Sequence, residues 1–82
     1  MKVKVKFFAI LRERAGAGEI TREMKEGGTV ADLWEALRKD YPRLAPVETR
    51  LLYAVNRNYV RPNHILKEND EVVFVPSSPG AT

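Results

Sequence analysis

The residues best suited to chemistry stand at the end of the sequence, where residues 77–82 read Ser-Ser-Pro-Gly-Ala-Thr. Gly80 lacks a Cβ, so its backbone can pass through a narrow channel, and an acyl group on it is open to attack from both sides. Pro79 stiffens the segment and lowers the entropy lost on insertion into another protein. This pattern suits a carrier that loads its own carboxyl end and delivers it to a second protein. A plain disordered tail is the alternative interpretation.

The rest of the sequence offers few groups for catalysis. There is no cysteine and only one histidine, which excludes a thiolate nucleophile, cysteine-based metal sites and a multi-histidine site in one chain. Asp70 and Glu71 are adjacent in a predicted strand, so their side chains point to opposite faces and form no acid–base pair. Gly27 and Gly28 read as a turn. We therefore expect no bound cofactor, no metal and no catalysis by the chain alone.

Length and composition indicate one small domain. The 82 residues are 44% hydrophobic and 30% charged, as in an ordinary globular protein. A net charge of +3 favours an acidic partner surface but is too weak to indicate nucleic acid. No apolar run approaches the roughly 18 residues that span a bilayer, and the start lacks the long apolar segment of a signal peptide. We expect a cytoplasmic protein that binds neither membrane nor nucleic acid.

The first quarter of the chain predicts two strands around a helical turn. Residues 2–10 begin with strict alternation, which predicts a half-buried strand. Its core side chains are those of Val3, Val5 and Phe7. Residues 10–15 predict a short helical turn that Gly16 and Gly18 stop. Residues 19–25 alternate again and predict a second strand, antiparallel to the first.

The clearest helix is predicted over residues 29–40. Thr29 is a good N-cap and Asp32 stands three residues later, in a near capping box. Pro42 disfavours helical geometry at the residue before it and ends the helix. The apolar stripe of this helix consists of Val30, Leu33, Trp34 and Leu37.

The remaining segments predict three more strands. Residues 51–56 form the third strand, and Arg57 and Asn58 form a tight turn into a short return strand. Residues 71–75 are apolar at nearly every position, so we expect this last strand in the middle of the sheet. The order predicts an α+β fold, a β-grasp (ubiquitin-like) roll with a mixed sheet packed on one main helix. The domain would span residues 1–76, with a flexible tail over residues 77–82.

A series of short motifs runs along nearly the whole chain. They are Phe-Phe-Ala at 7–9, Leu-Arg-Glu at 11–13, Thr-Val-Ala-Asp-Leu at 29–33, Ala-Val-Asn at 54–56, His-x-Leu at 64–66, Asp-Glu-Val at 70–72 and Phe-Val-Pro at 74–76. In order and spacing they resemble the small subunit of molybdopterin synthase. That family is ubiquitin-like in fold, in agreement with the roll predicted from the residues.

The resemblance implies a sulfur carrier of molybdenum cofactor biosynthesis. Members of the family end in Gly-Gly. An E1-like enzyme adenylates their terminal carboxylate with ATP, and a sulfur source converts it to a thiocarboxylate. The tail then enters the large subunit of the synthase and donates sulfur to precursor Z. The large subunit supplies the catalytic residues.

The resemblance also assigns residues. Aligned on Pro76, the two terminal glycines of the family fall on Gly80 and Ala81, and Thr82 is extra. Gly80 is therefore expected to bear the adenylate and then the thiocarboxylate. Four explanations for this ending stay open: trimming before use, cleavage from a longer fused protein, alteration in the laboratory, or a diverged relative that carries no sulfur.

A partner surface for the large subunit follows from the same resemblance. The implied contact residues are Tyr59, Phe74, Val75 and Pro76. Strand alternation lets only one of Phe74 and Val75 face outwards, and we favour Val75.

Two other functions fit the residues. A thiamin-type sulfur carrier shares the fold and the chemistry, and complementation of strains lacking each pathway separates it from the first hypothesis. A ubiquitin-like interaction module would bind its partner without sulfur transfer, and its binding would survive deletion of residues 77–82.

Overall fold

The fold is one five-stranded mixed sheet with a helix packed against one of its faces. The computed structural model describes residues 1–46 and 50–77. The elements in chain order are β1 (Lys2–Phe7), α1 (Ile10–Ala15), β2 (Glu19–Glu23), α2 (Val30–Asp40), a 3-10 turn (Pro42–Leu44), β3 (Leu51–Val55), β4 (Asn58–Val60) and β5 (Glu71–Pro76). The strand order is β2-β1-β5-β3-β4, and the predicted β-grasp roll is confirmed. Within residues 1–46 and 50–77, none of the helices has the length and hydropathy of a membrane span.

The last strand, β5, lies at the centre of the sheet, as predicted. It pairs in parallel with β1 and antiparallel with β3. A central strand in a two-layer fold carries apolar side chains on its inner face, and here Val72 and Phe74 are buried against the core. Its outer face carries Val73 and Val75, which are only partly buried.

The main helix, α2, begins with the predicted capping box. The Thr29 hydroxyl accepts a hydrogen bond from the Asp32 amide at 3.1 Å, and the Asp32 carboxylate accepts one from the Thr29 amide at 3.0 Å. The predicted stripe faces the sheet, and Trp34 packs beside Phe74 with ring centroids 5.2 Å apart. The buried core consists of Val3, Val5, Phe7, Leu11, Val30, Leu33, Leu37, Leu44, Val55, Leu66, Val72 and Phe74.

The hairpin between β3 and β4 turns one residue earlier than predicted. Asn56 and Arg57 occupy the two central positions with φ of 51° and 74°, and Asn58 already belongs to β4. A two-residue turn with both central residues in the left-handed region matches the twist of the flanking strands. Asn56 tolerates that region, so the turn begins there. β2 is also shorter than predicted and ends at Glu23.

Asn56 and Asp70, which we call the polar lock, fix the start of β5. The Asp70 carboxylate accepts hydrogen bonds from the Asn56 side-chain amide at 2.9 Å and from the Lys67 backbone at 2.8 Å. The side-chain oxygen of Asn56 accepts from the Glu71 amide at 3.0 Å, and the Asp70 carbonyl accepts from the Lys4 amide at 2.8 Å. Because these bonds join β1, β3 and β5, they set the register of the central strand.

Candidate functional site

The base of the C-terminal segment is held firmly where β5 ends. Pro76 pairs with Leu51 of the neighbouring strand. Ser77 then donates two hydrogen bonds to the Arg50 carbonyl, from its amide at 2.8 Å and from its hydroxyl at 2.9 Å. The chain therefore leaves the domain at a fixed point, next to β3.

The predicted site residues Gly80 and Ala81 lie outside the described residues, as do all residues from 78 onwards. Ser77, which the sequence assigns to the tail, is hydrogen-bonded to the domain as described above. The assignment of the thiocarboxylate to Gly80 stays a prediction, and so does the boundary of the tail.

An apolar patch covers the outer face of the sheet beside this exit point. We define it by Phe8, Leu52, Tyr59, Val73 and Val75. Leu52 pairs with Val75, and Ala54 lies between Val73 and Tyr59, so the patch runs across three neighbouring strands. Phe8 follows the residue that pairs with Phe74, which places it beside Val75. The side chains of Phe8, Leu52 and Tyr59 are 50%, 41% and 72% exposed. Large exposed apolar groups gathered in one place indicate a surface for protein binding.

Two of the predicted partner residues belong to this patch. Tyr59 is the most exposed of its large side chains, and Val75 lies on the outer face as favoured from alternation. Pro76 is partly exposed at the end of β5.

The predicted contact through Phe74 needs correction. Its side chain is completely buried on the inner face, because alternation along β5 turns it towards α2. Its ring packs against three aromatic neighbours, at centroid distances of 5.2 Å to Trp34, 5.7 Å to Tyr53 and 6.4 Å to Phe7. Phe74 therefore supports the strand that carries Val75 and is not itself on the surface.

Sequence reasoning missed three residues of the patch, Phe8, Leu52 and Val73. A signal for Phe8 and Leu52 was present, because each stands in a doublet of large apolar residues, Phe7-Phe8 and Leu51-Leu52. Neighbouring side chains in a strand point to opposite faces, so a doublet at the end of a strand leaves one member outside the core. Both doublets lie at the end of the sheet from which the C-terminal segment leaves.

A strained residue follows Phe8 directly. Ala9 has φ of 54° and ψ of −129°, a combination that only glycine adopts readily, and Leu11 donates to the Phe8 carbonyl at 3.1 Å to close the turn. Such outliers cost on the order of 1–3 kcal/mol and persist only where the surrounding structure holds them. A shallow depression of about 480 Å³ opens beside Phe8, with Arg12 and Lys6 in its wall. The apolar patch thus has a recess at its β1 border.

Paired charges lie on the outer face around β1. Lys6 lies 3.0 Å from the Glu71 carboxylate, and Lys4 lies 3.9 Å from that of Glu19. The hydrogen bond from Lys6 is the main cause that lowers the pKa of Glu71 below its ordinary value, with smaller contributions from the charges of Lys6, Lys4 and Arg57 and a partial offset from desolvation. Across residues 1–46 and 50–77, no three side chains of His, Asp or Glu converge as metal ligands.

The chain is similar to known proteins over nearly its whole length. A family model described as the ThiS family matches residues 5–80. The molybdopterin synthase sulfur carrier subunit of Chlamydomonas reinhardtii is 38% identical over 82 residues, which cover 98% of this chain and 99% of the relative.

Two solved structures share the fold. The putative molybdopterin converting factor, subunit 1, from Pyrococcus furiosus superposes with a TM-score of 0.87 at 34% identity, over 95% of this chain and 99% of that one. A chain in the complex of subunits 1 and 2 of the molybdopterin-converting factor from Helicobacter pylori gives a TM-score of 0.67 at 20% identity, over 99% and 100% of the two chains, which supports the fold alone. The chain therefore belongs to the ThiS family, in which its curated relatives are the sulfur carrier subunits of molybdopterin synthase.

Proposed function

We propose that this chain is the sulfur carrier subunit of a molybdopterin synthase and that it acts through a thiocarboxylate at or near Gly80. The observation that carries the proposal is the position of β5. This central strand is fixed at its start by the polar lock and at its end by the bonds from Ser77 to Arg50, and the small-residue segment follows at once. A rigid stem of this kind presents the following residues to a second protein at a defined place.

The loading reaction is carried out by another enzyme. In it, an oxygen of the terminal carboxylate attacks the α-phosphorus of ATP, releases pyrophosphate and forms an acyl adenylate. A sulfur nucleophile then forms the carbon–sulfur bond as AMP leaves. An E1-like adenylating enzyme supplies this chemistry, and ATP is its substrate and not a cofactor of the carrier.

Delivery follows in the large subunit of the synthase. The thiocarboxylate sulfur attacks a carbon of precursor Z and displaces an oxygen leaving group there. Water then hydrolyses the resulting thioester, which leaves the sulfur on the precursor and restores the carboxylate of the carrier. A glycine at the reacting carbonyl suits this step because no Cβ obstructs approach from either side.

The apolar patch is the surface that we assign to the large subunit. Tyr59, Leu52 and Phe8 form an exposed aromatic and aliphatic centre of the kind that dominates binding energy at interfaces. Val75 belongs to the same patch and lies two residues before Ser77, so a partner seated on the patch meets the C-terminal segment as it leaves the domain. The printed name of the Chlamydomonas reinhardtii relative, a sulfur carrier subunit of molybdopterin synthase, favours a partner of this kind.

Intact mass spectrometry tests the proposal. The chain is incubated with its cognate E1-like enzyme, ATP and sulfide, and we expect a species heavier by one oxygen-to-sulfur exchange. Fragmentation then shows whether Gly80 or a later residue bears the sulfur. A matched variant with Ala81→Gly and without Thr82 ends in Gly-Gly and should load at least as well. Absence of exchange on both chains would overturn the proposal.

A bulky residue at Gly80 tests delivery separately from folding. Gly80→Trp should abolish sulfur transfer to precursor Z by the reconstituted synthase, while thermal unfolding stays unchanged because the position lies beyond the anchored Ser77. Ser78→Ala serves as the matched change in the same segment and should leave transfer intact. Normal synthase activity of Gly80→Trp would contradict a reaction at this end.

A thiamin-type sulfur carrier is the second candidate, and the match to the ThiS family model favours it. It uses the same thiocarboxylate, so loading does not distinguish the two. Complementation does: rescue of a strain that lacks the thiamin carrier, without rescue of one that lacks the molybdopterin carrier, would assign the second pathway.

A further inference from the structure

The net positive charge of the chain comes from one segment. Residues 50–67 contain four of the 14 basic residues and none of the 11 acidic residues, so this segment carries +4 and the rest of the chain carries −1. Its basic residues are Arg50, Arg57, Arg61 and Lys67. The mildly basic character of the whole protein therefore comes from a single part of the fold.

The first part of that segment forms the β3–β4 hairpin at one border of the sheet, and residues 61–67 follow it. β4 pairs only with β3 in the described sheet, so it is an edge strand. Arg57 precedes β4 in the turn and Arg61 follows its last residue, with Tyr59 between them, and all three are exposed. We call these three residues the arginine edge.

The arginines of this edge differ from the lysines on the other side of the same face. Lys4 and Lys6 each lie within 4 Å of a glutamate, as given above. Within residues 1–46 and 50–77, no acidic side chain forms a salt bridge with Arg57 or Arg61. The charge of Arg57 helps to lower the pKa of Glu71 without forming an ion pair with it, and both guanidinium groups therefore remain open to a partner's carboxylate.

The arginine edge is continuous with the apolar patch. Tyr59 belongs to both, and it pairs with Ala54, which lies between it and Val73. A protein that covers the patch must therefore approach Arg57 and Arg61 as well. An apolar centre with a charged border is the usual anatomy of a protein interface.

We propose that the arginine edge receives an acidic segment of the protein that covers the apolar patch. This proposal rests on the proposed function, in which that protein is the large subunit of the synthase. Guanidinium groups bind carboxylates through two parallel hydrogen bonds, which favours Asp and Glu side chains as the complement. Charges at the border of an interface mainly raise the rate of association, so the edge steers the carrier onto its partner and orients the C-terminal segment.

A partner protein fits this surface better than a nucleic acid does. A basic surface for nucleic acid follows the phosphate backbone with many cations, whereas this edge offers two arginines beside an aliphatic and aromatic patch. Burial of Leu52 and Val75 requires an apolar counterpart, which a protein supplies.

The test measures association of the full chain with its large subunit by stopped-flow fluorescence at several salt concentrations. The variant is Arg57→Glu with Arg61→Glu. Its matched control, Lys25→Glu with Lys39→Glu, changes the net charge by the same amount on exposed residues of the β2–α2 loop and of α2. We expect the variant to associate about tenfold more slowly than the control near 50 mM salt. The two should converge near 1 M, where the Debye length falls to about 3 Å.

Three results would overturn the proposal. One is equal slowing of the variant and the control, which would indicate net charge alone. Another is the absence of any binding between the original chain and the large subunit. The third is binding of a single-stranded oligonucleotide that the variant loses while its association with the large subunit is unchanged. Circular dichroism confirms that both variants are folded. Sulfur loading is read separately by mass, so a failure of the proposed function and a failure of the arginine edge are distinguishable.

Discussion

The two ends of β5 are built in opposite ways. At its start, Asp70 is buried and Asn56 joins it in a network in which both carboxylate oxygens and the Asn56 side-chain amide and carbonyl have partners. At its end, Val75 lies in a patch whose large side chains, such as Tyr59 and Leu52, are exposed. At the start of β5 the polar side chains have their hydrogen-bond partners within the domain, whereas at its end apolar side chains are exposed to water.

The polar lock therefore stabilises the strand, and the apolar patch is surface that the strand exposes. Buried polar groups stabilise a fold only when their hydrogen bonds are complete, so the polar lock serves the domain itself. Burial of exposed apolar groups is favourable only when another surface covers them, so we expect the apolar patch to contribute to binding and not to folding. Substitutions at the two ends should accordingly affect different measurements.

The largest effect is expected at the polar lock. Asp70→Ala leaves the Lys67 amide and the Asn56 side chain without their acceptor, which should lower the free energy of unfolding by about 1–3 kcal/mol. Urea unfolding measures this loss. Glu26→Ala, at an exposed position, is the control and should stay within about 0.5 kcal/mol of the original chain. If Asp70→Ala were as stable as the original chain, the polar lock would not stabilise the domain, and this difference between the two ends of β5 would be wrong.

An intermediate effect is expected in the apolar patch, and on binding instead of folding. Tyr59→Ala should weaken the complex with the large subunit about tenfold, which corresponds to about 1.4 kcal/mol, while urea unfolding changes little. Ile65→Ala is the control, since Ile65 is 58% exposed and pairs with Thr29 at the start of α2, away from the patch. Titration calorimetry measures both affinities. Equal loss in the two variants would show that the patch has no special part in binding.

The smallest effect is expected between the two ends, at Glu71. Its pKa is lowered mainly by the hydrogen bond from Lys6, so the folded chain favours the ionised carboxylate more than the unfolded chain does. This contribution to stability is complete above the ordinary pKa of 4.5 and is lost as the pH falls through the lower folded value.

Glu71→Gln should therefore flatten the fall of the melting temperature with pH below about 4.5. Glu13→Gln, an exposed glutamate on α1, should leave that slope unchanged. The difference should shrink at high salt, because the Lys6–Glu71 pair is accessible to solvent. A steeper fall for Glu71→Gln would contradict the direction of the shift.

Local patterns in the sequence predicted most of the fold. The capping box at Thr29, the stop at Gly16 and the alternation of Val3, Val5 and Phe7 each depend on residues within one turn or strand, and each is present. The central place of β5 followed from its apolar character on both faces. Such features can be predicted from the sequence because they depend on neighbouring residues.

The site was less predictable because it is assembled from distant segments. The polar lock joins Asn56 to Asp70 across 14 residues, and the hydrogen bonds from Ser77 to the Arg50 carbonyl span 27 residues. No local pattern marks either pair. The position of Tyr59 on the outer face depends on the register of the hairpin, which the turn at Asn56 sets one residue earlier than expected. Contacts of this kind need the register before they can be predicted.

The parallel pairing of β1 with β5 also has a consequence for biosynthesis. The sheet cannot form completely until residues 71–76 have left the ribosome, because β5 lies between β1 and β3 and pairs with both. Pairing between distant parts of a chain is slow and comes late in folding. A chain that lacks β5 has no complete sheet, and its unpaired strand edges favour aggregation. A folded domain has therefore been translated at least to Pro76, where β5 ends.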